Sequence, residues 1–252
     1  MNPSNKSLPP EGTTVRLIPY HEATGGRNMA IDAWLFQDWA PQHQRPVLRF
    51  YGWQTPTLSL GFHQDPLPGV TLPQVKRPTG GRAVLHGDDL CYAVVVPTWG
   101  VSRRASYEHL CRFLTLGLAH WGLTAAFGTD KVAPNSNSPN CFAGASAADL
   151  QVAGRKLVGS AQAQRRDWLL QHGSVLRGPD RPLWQEILGQ APAGLDEWLQ
   201  PVPSPQAIAA GLAAAAVATY GWVLEEGPLT MAEWSEMALW EEKWLAKTSS
   251  KY

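Results

Sequence analysis

The sequence predicts an α+β fold, with mixed and antiparallel sheets packed against helices and a helical C-terminal part. Two observations carry that expectation. Short alternating or apolar segments bounded by Gly, Pro and Asn recur as far as Leu176, interrupted by two helical patterns. Beyond about residue 180 the spacing turns helical. The strict strand–helix alternation that marks a parallel α/β sheet is not seen.

The elements follow in order. Residues 1–14 are polar and proline-containing and read as a flexible tail, ahead of a single domain spanning 15–252. VRLIPY reads as a strand. In GGRNMAIDAWLFQDWA, Met29, Ala30, Ala33, Trp34 and Trp39 recur at helical intervals, with Asn28 as the expected N-cap. PVLRFYGW and TPTLSLGFHQ alternate as strands, punctuated by Pro56 and Gly61. VKRPTGGRAVLHGDDLCYAVVVP gives strand, glycine loop, strand, turn, strand. SYEHLCRFLTLGLAHWG is an amphipathic helix carrying Leu110, Phe113, Leu114 and Leu118, capped by Ser106. The stretch 128–140 has almost nothing to bury and reads as a mobile loop. ADLQVAGRKLVGSAQAQRRDWLLQHGSVL gives two or three strands turning at Ala153 and Gly154. Three helices close the chain: PLWQEILG, PSPQAIAAGLAAAAVATYG and LTMAEWSEMALWEEKWLAK. The last sets Trp234, Met237, Ala238 and Leu245 near one face.

Composition excludes several classes. A chain of 252 residues with 44% hydrophobic and 17% charged residues can bury a substantial core. A formal net charge of zero argues against nucleic acid or an anionic membrane as a partner held by bulk charge. No apolar run approaches the ~20 residues of a membrane span, and the polar N-terminus lacks a signal-peptide core, so a cytoplasmic protein is expected. Cys91, Cys111 and Cys141 are odd in number and show no CxxC spacing, which disfavours a disulfide framework or a zinc site. Most of the 12 tryptophans are expected in the core or in a groove.

Three stretches could carry chemistry. In KRPTGGRAVLHGDD, Gly80 and Gly81 let the backbone approach a ligand and present N–H groups to it. A glycine pair alone is more often a plain turn than a ligand loop, and no GK[ST] or GxGxxG pattern accompanies it. Arg77, Arg82 and His86 alongside shift the reading toward a polar or anionic ligand. Cys141 follows the polar run APNSNSPN, so it is expected where a loop meets the core and within reach of solvent. Cys91 among strand apolars and Cys111 in an apolar helix read as core thiols. A thiol attacks only as thiolate and needs a cation or a helix N-terminus nearby. In GRKLVGSAQ, Lys156 alternates with Leu157, so one of the two points inward. An inward lysine is costly unless it meets an anion or a developing oxyanion. His172, in LLQHGSVL, is on its own more often a satisfied core histidine than a catalyst.

Together these stretches resemble the lipoate and biotin protein ligase superfamily, and within it the cysteine-dependent octanoyltransferases. NMAIDAWL is similar to the N-terminal helix signature, LRFYGWQTPTLSLGFHQ to a strand pair ending in glycine-x-x-glutamine, and KRPTGGRAVLHGDDLCYAVVVP to the acyl-binding loop. GRKLVGSAQAQRRDWLLQHGSVL is similar to the lysine strand and the histidine-glycine-serine hairpin. The resemblance runs from about Val15 to Leu188. Arg82 stands where ATP-dependent ligases carry a third glycine, and Cys141-Phe142 stands where the transferases place their Cys-Phe pair. Two departures are visible: Gly87 and then Asp88-Asp89 follow the loop histidine instead of an immediate aspartate, and Ala148-Asp149 replaces a Tyr-Glu pair.

The resemblance implies the biotin/lipoate protein ligase catalytic-domain fold and an acyltransferase acting in lipoate biosynthesis. Octanoyl would pass from acyl carrier protein to a lysine of a lipoyl-domain protein through a Cys141 acyl-enzyme, with Lys156 as its electrostatic partner. Arg77, Thr79, Gly80, Gly81, Arg82, His86, Gly159, Ser160 and His172 are implied in acyl binding or oxyanion support, and Val84, Leu85 and Trp53 are candidates for the acyl tunnel. Neither ATP nor a metal is implied as cofactor, and a monomer is expected. The alternatives are an ATP-dependent lipoate or octanoate ligase on the same fold, an amidotransferase between lipoyl-domain proteins, and a non-enzymatic carrier-binding module.

Overall fold

The computed structural model describes residues 10–128 and 149–249. Eleven strands and seven α-helices are laid out within that range. An eight-stranded sheet has the order β11-β1-β2-β6-β10-β9-β8-β7, built from β1 (Thr14–Ala23), β2 (Val47–Trp53), β6 (Asp89–Pro97), β7 (Ala125–Phe127), β8 (Leu150–Val152), β9 (Arg155–Arg165), β10 (Trp168–Leu176) and β11 (Val223–Glu226). The pairs β11–β1 and β1–β2 are parallel, and from β2 onward every neighbour is antiparallel. A second sheet, β4-β3-β5, joins β3 (Thr57–Leu60) to β4 (Gln74–Lys76) in parallel and to β5 (Val84–His86) in antiparallel. The architecture is thus α+β with mixed sheets, as the order of patterns predicts.

Helices cover both faces of the large sheet. On one face lie α3 (Arg103–Leu110), α4 (Arg112–His120) and α6 (Pro205–Tyr220), packed over Leu48, Phe50, Tyr92, Val94 and Leu169. On the other lie α1 (Gly25–Trp34), its π-helical continuation Leu35–Trp39, the short α2 (Ala40–His43) and α7 (Met231–Ser249), over Tyr51, Trp53, Ala93, Val95 and Leu170. Burial from both sides explains why β6 reads as a nearly continuous apolar run, and it leaves β2 buried along its whole length. The α5 helix (Arg181–Leu188) closes the small sheet through Trp184 and Leu188. Every tryptophan is buried or half-buried, as expected.

Several local expectations need correction. Thr24, not Asn28, caps α1, its hydroxyl accepting from the Arg27 N–H. Asn28 is fully buried and bridges the Ala23 and Gly52 carbonyls. The predicted helix beginning near Ser106 is two helices meeting at Cys111, and Ser102 is the cap. Ser106 bonds back to the Arg103 carbonyl instead. The strand β11 lies in a stretch read as helical, because only its parallel pairing with β1 makes it a strand. In α7 the buried residues are Met237, Trp244 and Thr248; of the four expected on the apolar face Met237 is buried and Trp234 half-buried, while Ala238 and Leu245 are exposed. Most of the expected flexible tail, and the loop 128–140 apart from Gly128, lie outside the described residues. Strand β1 begins at Thr14, at the boundary expected for the tail.

Candidate active site

Strand alternation builds the site. Residues two apart on a strand share a face, so β2 presents Arg49, Tyr51 and Trp53 together, β6 presents Asp89 and Cys91, and β10 presents His172 and Ser174. Register sets Tyr51 opposite Cys91 and Cys91 opposite Ser174, with Arg49, Ala93 and His172 in the next row. Facing this surface are α1, which brings Met29 and Asp32, and the small sheet, which brings Ser59, Val84 and His86. The cleft between them is partly open to solvent and spans about 390 Å³ with its solvent-facing space included.

Two imidazoles are pinned along this cleft in the same way. His172 Nδ1 donates to Asp32 Oδ2 at 2.8 Å, and its Nε2 meets the Thr79 hydroxyl at 2.7 Å. His86 Nδ1 donates to Asp89 Oδ2 at 2.6 Å, and its Nε2 meets the Ser59 hydroxyl at 2.7 Å. In each case an acceptor-only carboxylate fixes the proton on Nδ1 and leaves Nε2 to accept from a hydroxyl. Burial lowers the His172 pKa, so this ring is neutral. For Asp32 and Asp89 burial pushes the carboxyl up, but the Arg49 charge and the His172 N–H in one case, and the hydrogen bonds from His86, Ser174 and the Gly87 N–H in the other, hold each below the usual range.

The carboxylates are anchored in turn. Arg49, fully buried, donates to Asp32 Oδ1 at 2.5 Å and to Asn28 Oδ1 at 2.6 Å, and Tyr51 adds a hydrogen bond to Asp32 Oδ2 at 3.0 Å. Asp89 Oδ2 also accepts from Ser174 at 2.5 Å and from the Cys91 thiol at 3.3 Å. His86, Asp89 and Cys91 bring one ligand atom each within 4.8 Å of one another, a donor set that these mutual hydrogen bonds already engage. Burial and the Asp89 charge push the Cys91 thiol well up, and burial pushes Cys111 up to about 12, so both are inert core thiols as expected.

The glycine loop is tied to the same network. Arg77 donates to the Ser59 hydroxyl at 2.8 Å, and through its other nitrogen to the Gly80 carbonyl at 3.1 Å and the Arg82 carbonyl at 2.8 Å. Gly81 has φ +95°, a conformation open to glycine. A Cβ on Gly61 would meet the Gly81 carbonyl oxygen at 2.0 Å, so the small sheet and the loop touch backbone to backbone.

Of the sequence-predicted residues, Trp53, Arg77, Val84, His86, Gly159, Ser160 and His172 line the cleft together, and Leu85 does not. Thr79 is buried behind His172, while Gly80 and Gly81 are exposed in the loop and Arg82 is half-buried. The Ser160 hydroxyl is engaged by Tyr92 at 2.7 Å. Lys156 lies on β9, three residues before Gly159. Its alternation with Leu157 does not hold, because the register shifts at Leu150/Gln151 and both side chains are buried. Lys156 Nζ meets Asp149 Oδ2 at 2.9 Å, with side-chain exposures of 5% and 6%. The departure Ala148-Asp149 therefore carries the lysine's counter-ion. Cys141 lies outside the described residues.

Sequence reasoning missed Asp32, Arg49, Tyr51, Ser59, Asp89 and Ser174. A signal existed for two of them: Asp32 sits inside the apolar run MAIDAWL and Arg49 inside VLRFY, where an unpaired charge would be costly. The departure at Gly87 is likewise resolved, since Asp89 curls back to bind the Gly87 N–H at 3.0 Å while holding His86.

A mixed sheet flanked by helices, with a glycine loop and a buried lysine on the strand beside an apolar cleft, defines a catalytic domain of the lipoate ligase type. The lipoyl protein ligase A/B catalytic domain model matches residues 25–207, and the chain belongs to that family. Octanoyltransferase LipM from Carboxydothermus hydrogenoformans is 40% identical over 175 residues, covering 65% of this chain and 65% of that protein. The LipM of Symbiobacterium thermophilum is 37% identical over 200 residues, 73% of this chain and 72% of that protein. The chain therefore matches about two thirds of these relatives' length. Lipoate-protein ligase A bound with ATP aligns with a TM-score of 0.74 at 20% identity, over 92% of this chain and 95% of that one, a likeness of fold. Among the described residues no helix is long and apolar enough to cross a membrane.

Proposed function

We propose that this protein is an octanoyltransferase, moving octanoyl from a thioester on acyl carrier protein to a lysine of a lipoyl-domain protein. The observation that carries the reading is its 37–40% identity to curated octanoyltransferases over 175 to 200 residues, beside a family match over residues 25–207 that takes in the cleft and its lysine strand.

Cys141 is the nucleophile in this reading. Its thiolate attacks the thioester carbonyl, forming a new C–S bond as the carrier's thiol leaves with a proton. The acceptor's ε-amine then attacks the acyl-cysteine, yielding an amide and returning the thiol. The thioester arrives already activated, so no ATP enters the balance. Lys156 supports the oxyanion that develops at each step, and a buried cation aimed at developing charge is worth far more than one in water. Asp149 holds that ammonium in place at 2.9 Å. The apolar walls of the cleft, Met29, Val84 and Trp53 among them, take the acyl chain. The His86–Ser59–Arg77 relay holds the Gly80–Arg82 loop against it, and the exposed loop leaves its N–H groups free to face a carbonyl.

The test is transfer from octanoyl-acyl carrier protein to a purified lipoyl domain, with and without ATP. Equal yields in both support the transferase. Product from free octanoate only when ATP is added would make the protein a ligase and refute the reading.

A further inference from the structure

One wall of the cleft is a pair of stacked rings. Trp53 lies on His86 with centroids 4.0 Å apart and planes 14° from parallel. Both residues line the 390 Å³ cleft, and both also line a second pocket of about 800 Å³ on its far side, walled by Pro56, Leu85, Leu176 and Leu183. The stack is thus the partition between two separate spaces. It is fixed from both sides: Trp53 Nε1 donates to Cys91 Sγ at 3.3 Å, while Asp89 and Ser59 hold the two nitrogens of His86. Trp53 is only 6% exposed and His86 5%, so both rings are closely packed where they stand.

We propose that the Trp53–His86 stack is the end wall that sets acyl-chain length. This rests on the octanoyltransferase reading, which puts the acyl chain in the cleft. A chain that fits short of the wall buries each methylene with a gain of about fourfold in affinity. A longer chain has to displace an aromatic ring whose stack is held by hydrogen bonds to Cys91, Ser59 and Asp89, and close-packed interiors give way poorly to such intrusion. Beyond the wall the pocket offers Leu85, Leu176 and Leu183 beside the Asp88, Asp89 and Asp180 carboxylates, so a longer tail has apolar surface to meet once the ring is removed. Trp53 is the specificity-determining residue, because His86 is committed to the network that holds the glycine loop.

The experiment is calorimetric binding of saturated fatty acids of six to fourteen carbons to wild type, Trp53→Ala, Trp53→Leu and Trp53→Phe. In wild type, affinity rises with each carbon to about eight and then stops rising. In Trp53→Ala and Trp53→Leu the rise continues, and the ratio of dodecanoate to octanoate affinity grows at least about tenfold. Trp53→Phe keeps the wild-type order, since a ring still covers His86. An unchanged ratio in folded Ala and Leu variants overturns the proposal. So does a wild-type affinity that climbs past ten carbons, whatever the variants do. Failure of wild type to bind any fatty acid would instead remove the acyl reading of the cleft, and the two failures are thereby told apart.

Discussion

Replacing Asp32 by Asn should cost this protein about 3 kcal/mol or more. Asp32 and Arg49 are both fully buried, and the Arg49 Nη1 to Asp32 Oδ1 distance is 2.5 Å. Asn keeps the shape of Asp, so no cavity opens and the change isolates charge. Breaking a buried pair by removing one partner typically costs about 3–5 kcal/mol, because the surviving charge is left uncompensated. Arg49 retains its bonds to the Asn28 carbonyl and side-chain oxygen, which places the loss at the lower end of that range. His172 loses its carboxylate acceptor at the same time, so Thr79 and the start of the glycine loop loosen with it. The assay is urea unfolding read as a midpoint shift at constant slope. A second arm pairs Asp32→Asn with Arg49→Met. Removing both charges should recover much of the loss, since replacing a buried pair by apolar groups is often near neutral. A loss under about 1 kcal/mol for Asp32→Asn, or a double variant as unstable as the two single losses summed, would refute the argument.

Other outcomes follow from the same geometry. Lys156→Met should lower transfer by about 10²-fold or more, and adding Asp149→Asn should restore stability without restoring rate; recovery of rate would make the lysine merely structural. Gly173→Ala would set a Cβ 2.5 Å from the Gly159 carbonyl oxygen and 2.8 Å from Tyr92 Cε1, so it should prise β9 from β10 and cost about 1–3 kcal/mol in thermal or urea unfolding. Burial first, aided by Arg49 and Arg112, holds His21 and His109 at about 4, and burial lowers His172 as well. Their folded pKa values lie below the unfolded value of about 6.5. Their stabilisation is therefore complete above that pH and is lost as pH falls toward 4, with a slope of up to about 1.4 kcal/mol per pH unit per histidine. Urea midpoints measured from pH 7 to 4 check this, and a flat profile over that window would contradict it.

Much of the layout is legible in the sequence because local rules and burial agree there. The glycine loop, the lysine strand and the histidine hairpin occur in readable order, and seven of the predicted residues meet in one cleft. What escaped was set by pairing at a distance. Asp32 and His172 are 140 positions apart, and Arg16 reaches the C-terminal helix at Glu233, 217 positions away. The β11 strand carries no alternation of its own and exists through its partner β1. The break at Cys111 escaped because apolar residues continue through it at helical spacing. Asp149 was read as a departure when it is a counter-ion, since a carboxylate seven residues before a lysine signals nothing until the β8–β9 turn folds them together.

The central claim is a covalent acyl-enzyme on Cys141. Intact-protein mass spectrometry after incubation with octanoyl-acyl carrier protein, without ATP, tests it most directly in wild type and Cys141→Ser. The account predicts one added octanoyl group in wild type, released by hydroxylamine, and no hydroxylamine-labile adduct in the variant. An unmodified wild-type protein under these conditions, or the same labile adduct in Cys141→Ser, would contradict it.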